Sequence, residues 1–321
     1  RQMCIRDSRH DSQQRNDPNV IPPFLEQPWA RSSSGAAWDG LPKYDLAKYN
    51  PWYFARLKRF AAVCDRKGAV FLHNCYMQHA LLETDAHYVD FPWRPVNCIQ
   101  DTGMPDHVPA ANAFYDVTHP MRRDLHRAYI RKCLDELGHH TNVLFLLSQE
   151  YTGPASFVAF WIDTVRAWER EHGRHVHVVL SGCKDVIDAL LADEARRAAV
   201  STIDLRYWWY TPDGSLFAPE GGKEVPGRYA LGGKAAETTP AQIYRQVKAC
   251  RQKYPDKAIL HQIEASRRQT WAFLMGGGAL LIRYLQYPES EDPPQYVAPE
   301  DSRVIQPTYD FVRIHLSTAL A

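Results

Sequence analysis

A (β/α)8 barrel that lacks its first two strands is the fold class this sequence predicts, and three observations lead there. Six short apolar runs each precede a segment of helical period, as when strands alternate with helices in a parallel sheet with right-handed crossovers. An open doubly wound sheet would satisfy that alternation too, but no Gly-rich turn follows any run. Gly276–Gly278 lies between a helix and the next strand, the wrong end for a nucleotide site. Residues with chemistry to offer stand instead at the C-terminal ends of the runs, where barrels keep their sites. They are His73 and Asn74, Gln149 and Glu150, Arg206 and Trp208, Gln262 and Glu264, and Arg283.

The elements follow in order. Residues 1–8, RQMCIRDS, resemble the translated sequencing-adapter runs seen in assembled environmental sequences. The expectation is that they are an artefact, that Cys4 is not a native thiol, and that the chain is a fragment. Residues 9–48 are polar and rich in Pro, Ser and Gly, without strand or helix period, and read as a loop remnant. The partial barrel is expected over residues 49–321. Asn50-Pro51 starts a helix whose inner face is Phe54, Leu57, Ala61 and Cys64, and Gly68 ends it. AVFLHN is a short buried strand ending at Asn74, followed by a long excursion from Cys75 to Thr118. A helix over residues 119–137 carries Leu125, Tyr129, Cys133 and Leu137 on one face, and NVLFLLSQ is the next strand. Helix 155–171, strand HVHVVLSG, helix 185–198 and strand VSTIDLRYWWY continue the rhythm. A Gly/Pro-rich loop over 211–239 leads to helix 240–254, strand KAILHQIE, helix 266–275, strand ALLIRYL and a closing helix over 304–320.

The bulk numbers narrow the function classes. With 38 basic against 37 acidic residues, no net field favours nucleic acid or an anionic membrane. No apolar run reaches membrane-spanning length. The seven cysteines show no CxxC, and their odd number argues against a disulfide framework. Cys64, Cys133 and Cys250 fall on apolar helix faces and read as small core residues. Oligomeric state is not encoded in any pattern here.

Counting back from ALLIRYL as strand eight, Glu150 ends strand four and Glu264 ends strand seven. In this the stretch from Asn50 to the end resembles the clan-A glycoside hydrolases, closest to the apiosidase-like and related polysaccharide-utilisation barrels. The resemblance implies Glu150 as general acid/base and Glu264 as nucleophile, with a carbohydrate as substrate and no cofactor. It also implies a secreted or periplasmic protein acting on plant, algal or microbial polysaccharide. Elementary chemistry asks for the same pair: one protonated carboxyl for the leaving group, and one ionised carboxylate to attack or to stabilise the sugar cation. Carboxyls facing each other across a barrel mouth push their pKa values apart. Two departures stand out. The clan places Asn before its acid/base where this chain has Gln149, and HQIEASRR is an untypical approach to the second Glu.

A supporting set is expected around the pair. His73 and Asn74 would contact sugar from a strand end, and Gln149 would hold a sugar hydroxyl. By strand alternation Asp204, Arg206 and Trp208 share one face, Asp204 pairing with Arg206. Arg206 could grip a substrate carboxylate or sulfate, Trp208, Trp209 and Tyr210 could form a platform with at least one of them plain core, and Arg283 would join from the last strand. Two other classes stay open: a sugar-binding barrel without catalysis, and a zinc hydrolase. For the latter there is no HExxH and no HxH at a strand C-terminus, so His79, Glu83 and His87 form the one local cluster to test.

Overall fold

A computed structural model describes residues 27–149, 151–224, 238–263 and 267–283. Its first element corrects the expectation for residues 9–48. Strands β1 (Trp29–Ala36) and β2 (Pro42–Tyr49) form an antiparallel hairpin. Trp29 is its anchor, with its ring 6.0 Å from Trp93 and 4.8 Å from Tyr129. Tyr44 exchanges backbone hydrogen bonds with the loop at Asn97 and Ile99 and carries the Arg31 guanidinium 3.8 Å above its ring. Hairpin formation therefore depends on partners more than fifty residues away, which a local pattern does not reveal.

Helix α1 (Pro51–Arg66) starts where Asn50 caps the backbone N–H groups of Trp52 and Tyr53. Strand β3 (Phe71–Met77) runs three residues beyond its expected end. Short helices α2 (His79–Leu82), α3 (Asp85–Tyr88) and α4 (Ala111–Phe114) shape the excursion that follows. Helix α5 (Pro120–Leu137) is capped by the His119 side chain. Gly138 follows it at a close approach, since a Cβ there would lie 2.5 Å from the Trp168 ring. Strand β4 (Val143–Gln149), helix α6 (Ala155–His172) and strand β5 (His177–Ser181) come next.

The helix expected over 185–198 is two: α7 (Lys184–Ala192) and α8 (Glu194–Ala199). Asp193 between them is extended, and its carboxylate accepts from the Arg196 N–H to cap the second. The strand expected to run to Tyr210 also stops early. Strand β6 is Val200–Asp204, and Trp209–Tyr210 belongs to a separate hairpin, β7 (Trp209–Tyr210) with β8 (Leu216–Phe217). Two contacts turn the chain. The Asp204 carboxylate accepts from the Arg206 N–H at 3.2 Å, and the buried Gln246 amide donates to the carbonyls of Leu205 and Trp208. Helix α9 (Pro240–Lys253), strand β9 (Ala258–Ile263), helix α10 (Arg267–Met275) and strand β10 (Leu280–Arg283) complete the described chain. The expected closing helix over 304–320 and residues 1–8 lie outside the described residues.

Six strands form one parallel sheet in the order β10-β9-β6-β5-β4-β3. The order is that of the chain, with no reversal, and the sheet is open at β3 and β10 among the described residues. One large apolar cluster joins α1, α5, α6, α7, α9 and α10 to alternate strand residues such as Phe145, Val178, Ile203 and Ile259. Helices therefore cover one face, as crossovers of constant hand require. The opposite face carries its own small cluster: Leu146, Val179 and Leu260 with Leu72 and Leu144 packed against it. No described helix is long and apolar enough to cross a membrane.

Candidate functional site

The face opposite the helices changes character along the strands. Asn74 stands in register with Leu146 of its apolar cluster, and toward the C-terminal edge the same alternation brings Ser148, Ser181 and Asp204. Ser181 Oγ donates to the buried Asp204 carboxylate at 2.7 Å, which fixes the ends of β5 and β6 together. Asn74 is half-buried, and its Oδ1 is buried with no hydrogen-bond partner among the described residues. A buried amide oxygen left open is costly unless a ligand or water meets it.

The exits of β3 and β4 are fastened side by side. Gln78, the residue after β3, donates from Nε2 to Thr152 Oγ1 at 2.8 Å and accepts at Oε1 from the Thr152 N–H at 3.0 Å. Its own N–H donates to Ser148 Oγ at 3.2 Å. The staple thus grips the chain on both flanks of position 150. Downstream, Tyr151 is fully buried, its ring 5.2 Å from Tyr115 and its hydroxyl donating to the Pro154 carbonyl at 2.8 Å. Burial pushes the Tyr151 phenol well up, so it stays a neutral donor. Gly153 is required under that ring, because a Cβ would come within 2.7 Å of it. The Gly222 N–H reaches across to the Thr152 carbonyl at 2.7 Å, so the loop after β8 closes on the same turn.

The site residues expected from the sequence fare differently. Glu150 and Glu264 lie outside the described residues, as do the side chains of Gln149, Gln262 and Arg283. Their neighbours in the chain, Gln149 and Ile263, are the last residues of β4 and β9. His73 is corrected: it is mid-strand, 3% exposed, packed edge-on to Phe71 and Phe145 on the helix-covered face. Because β3 runs on to Met77, residues 73 and 74 do not stand at its end.

Trp208 is also corrected. It is 6% exposed within the core cluster, with the Lys184 ammonium 5.5 Å from its ring. Trp209 is buried against Phe217 at 4.4 Å, and Tyr210, half-buried, lies under the Arg245 guanidinium at 3.9 Å. Of the three aromatics, Tyr210 alone keeps a partly open ring. Asp204, Arg206 and Trp208 do not share a strand face, since the strand ends at Asp204. The described contact between Asp204 and Arg206 runs through the Arg206 backbone N–H. The Arg206 charge nevertheless bears on His261, which burial first and Arg206 second push down to about 3.

His79, Glu83 and His87 do come together. The buried Glu83 carboxylate has His79 Nδ1 at 2.8 Å from one oxygen and His87 Nδ1 at 3.3 Å from the other. An imidazole occupies each oxygen, and among the described residues no group of three or more His, Cys, Asp or Glu is arranged to hold a metal ion. Other polar residues of the excursion are scaffolding. Arg94 donates to the carbonyls of Val89 and Asp106, Asn97 to those of Val89 and Phe91, and Trp93 stacks on His126 at 4.5 Å. Thr152 and Ser148 are contributors the sequence reading passed over. Their signal is a polar residue next to each flank of a strand-end Glu.

Comparison with known families adds one result. The family model described as Domain of unknown function (DUF6298) matches residues 4–290, and the chain therefore belongs to that family. No curated protein matches the chain.

Proposed function

We propose that this member of the DUF6298 family is a glycoside hydrolase of barrel type, acting on an oligo- or polysaccharide with Glu150 as proton donor and Glu264 as nucleophile or base. One observation carries the reading: β4 and β9 end at the same edge of a parallel sheet, and the next residue of each is a glutamate. Strand alternation puts Leu146, Ser148 and Leu260 on the face opposite the helices, and the proposal extends that alternation to the glutamates that follow β4 and β9 in the sequence. An apolar floor with a polar rim is what a barrel mouth needs. A chain-ordered parallel sheet with helices on one face curves naturally toward closure, whereas a doubly wound sheet would show a reversal of strand order. The open amide oxygen of Asn74 suits a sugar hydroxyl, and the staple at Gln78 holds both flanks of position 150 still for proton transfer.

The test is turnover of a panel of plant, algal and microbial oligosaccharides by the wild-type chain and by Glu150→Gln and Glu264→Gln. The reading expects hydrolysis by the wild type and a loss of at least roughly a hundredfold in each variant, the usual range for removing an acid/base group. Binding without turnover in all three would identify a sugar-binding barrel instead. Turnover unchanged in both variants would remove the carboxylate mechanism.

A further inference from the structure

Helix α1 carries a surface that the hydrolase reading leaves unused. Phe54 and Ala61 fix its buried face in the core, and Lys58, on the flank toward α5, pairs with Glu136 at 2.7 Å. The face turned away from the core lines a cavity of about 950 Å³, walled on its far side by Pro28. Trp52, Arg56 and Phe60 stand there at i, i+4 and i+8 with Arg59 and Val63 beside them, one stripe along the helix. Trp52 is 50% exposed and Phe60 54%. The outward face of such a helix is ordinarily polar, and large apolar side chains gathered on it mark a place that another molecule covers. The charges point the same way. Arg56 lies 5.0 Å from the Trp52 ring, and among the described residues neither it nor Arg59 has an ion-pair partner, whereas Lys58 on the packed flank does.

We propose that this groove docks an acidic amphipathic helix of a partner protein, with its apolar side chains on Trp52, Phe60 and Val63 and its carboxylates on Arg56 and Arg59. The occupant follows from the layout. Rows of side chains at helical spacing are what a second helix packs its own rows against. Trp, Phe and Arg are the residues in which binding energy concentrates at protein interfaces. Two unpaired guanidinium groups call for carboxylates, which they hold in a two-pronged fashion. A second copy of this chain fits poorly, because a two-fold contact would set Arg56 and Arg59 against the same two cations. An anionic bilayer fits poorly too, since the stripe lies inside a walled cavity that a flat surface does not enter.

The experiment titrates the full chain into a fluorescently labelled helical peptide as long as α1, 16 residues, and follows anisotropy. The peptide carries Leu at i, i+3, i+4 and i+7 spacing and Glu on the flanks; one control has Lys in place of Glu, and another has the same composition with its period scrambled. The proposal expects saturable, micromolar binding of the Glu peptide that weakens as salt rises. Trp52→Ala, and Arg56→Glu with Arg59→Glu together, should each weaken it at least about tenfold. The charge-reversed variant should in turn prefer the Lys peptide, a switch that loss of folding does not produce. No saturable binding, equal binding of the Glu peptide and either control, or indifference to both variants would overturn the proposal. So would a preference for phosphatidylserine vesicles over the peptide, or a dimer of the chain that Trp52→Ala dissolves. None of these readouts uses catalytic turnover, so the groove and the hydrolase reading stand or fall separately.

Discussion

Replacing Gln78 with Met removes the staple between β3 and β4 while keeping nearly the same side-chain volume. Among the described residues two well-formed hydrogen bonds are lost, from Nε2 to Thr152 Oγ1 at 2.8 Å and from the Thr152 N–H to Oε1 at 3.0 Å. The contact from the Tyr115 hydroxyl at 3.5 Å is too long to add much. Each bond contributes about 1 kcal/mol, and the Thr152 N–H left buried adds a desolvation cost of about 1–3 kcal/mol. The expected loss is therefore roughly 3–5 kcal/mol of folding free energy. Urea unfolding followed by tryptophan fluorescence measures it as a lower midpoint at unchanged slope. Thr152→Val should cost about 1 kcal/mol alone and little more on top of Gln78→Met, because both changes break the same pair. A loss below about 0.5 kcal/mol for Gln78→Met, or full additivity in the double variant, would refute the staple.

Other consequences are equally open to measurement. His126 is held neutral between the Tyr76 hydroxyl and the Phe114 carbonyl, and burial pushes it down to about 3; His261 is pushed to about 3 as well. An unfolded histidine titrates near 6.5, so below that pH the unfolded chain binds protons that the folded chain refuses. Stability from these groups is complete above about pH 6.5 and should fall by about 1.4 kcal/mol per unit for each residue as the pH drops toward 3; a urea midpoint that stays flat from pH 7 to 4.5 would contradict it. Gly153→Ala drives a Cβ into the Tyr151 ring and should cost about 1–3 kcal/mol, visible as a lower melting temperature, with turnover falling alongside. Trp208→Ala should behave as a core deletion, costing about 3–5 kcal/mol in thermal or urea unfolding, whereas a variant of wild-type stability with weakened sugar binding would restore Trp208 to the platform.

What the sequence made legible follows from the range of the forces involved. Strands β3, β4, β5, β6, β9 and β10 announce themselves as continuous apolar runs because both faces of the sheet carry buried apolar side chains. The helix start at Asn50 was read from a cap beside a proline, a purely local signal, and the structure repeats that arrangement at His119 and Thr239. The β1–β2 hairpin was not, since Trp29 and Tyr44 find their partners at Trp93, Asn97 and Tyr129. Nor was the early end of β6, which depends on Gln246 arriving from α9 to take two carbonyls. Strand ends matter most for the site. Reading β3 as ending at Asn74 rather than Met77 moved His73 from the core to the mouth, and the staple at Gln78 came into view with the true end. The Glu83 cluster was readable from its i, i+4, i+8 spacing, but the roles of its two imidazoles were not, because spacing alone does not say which nitrogen meets which oxygen.

The most direct measurement is crystallographic: the separation of the Glu150 and Glu264 carboxyl groups. Neighbouring strands lie about 4.8 Å apart, and β5 and β6 stand between β4 and β9, so a flat sheet would hold the two positions about 14 Å from each other. Curvature into a barrel with both side chains on the inner face predicts roughly 5–9.5 Å, the span that two-carboxylate glycoside cleavage uses. Carboxyls at the flat-sheet distance, or on opposite faces, would contradict it.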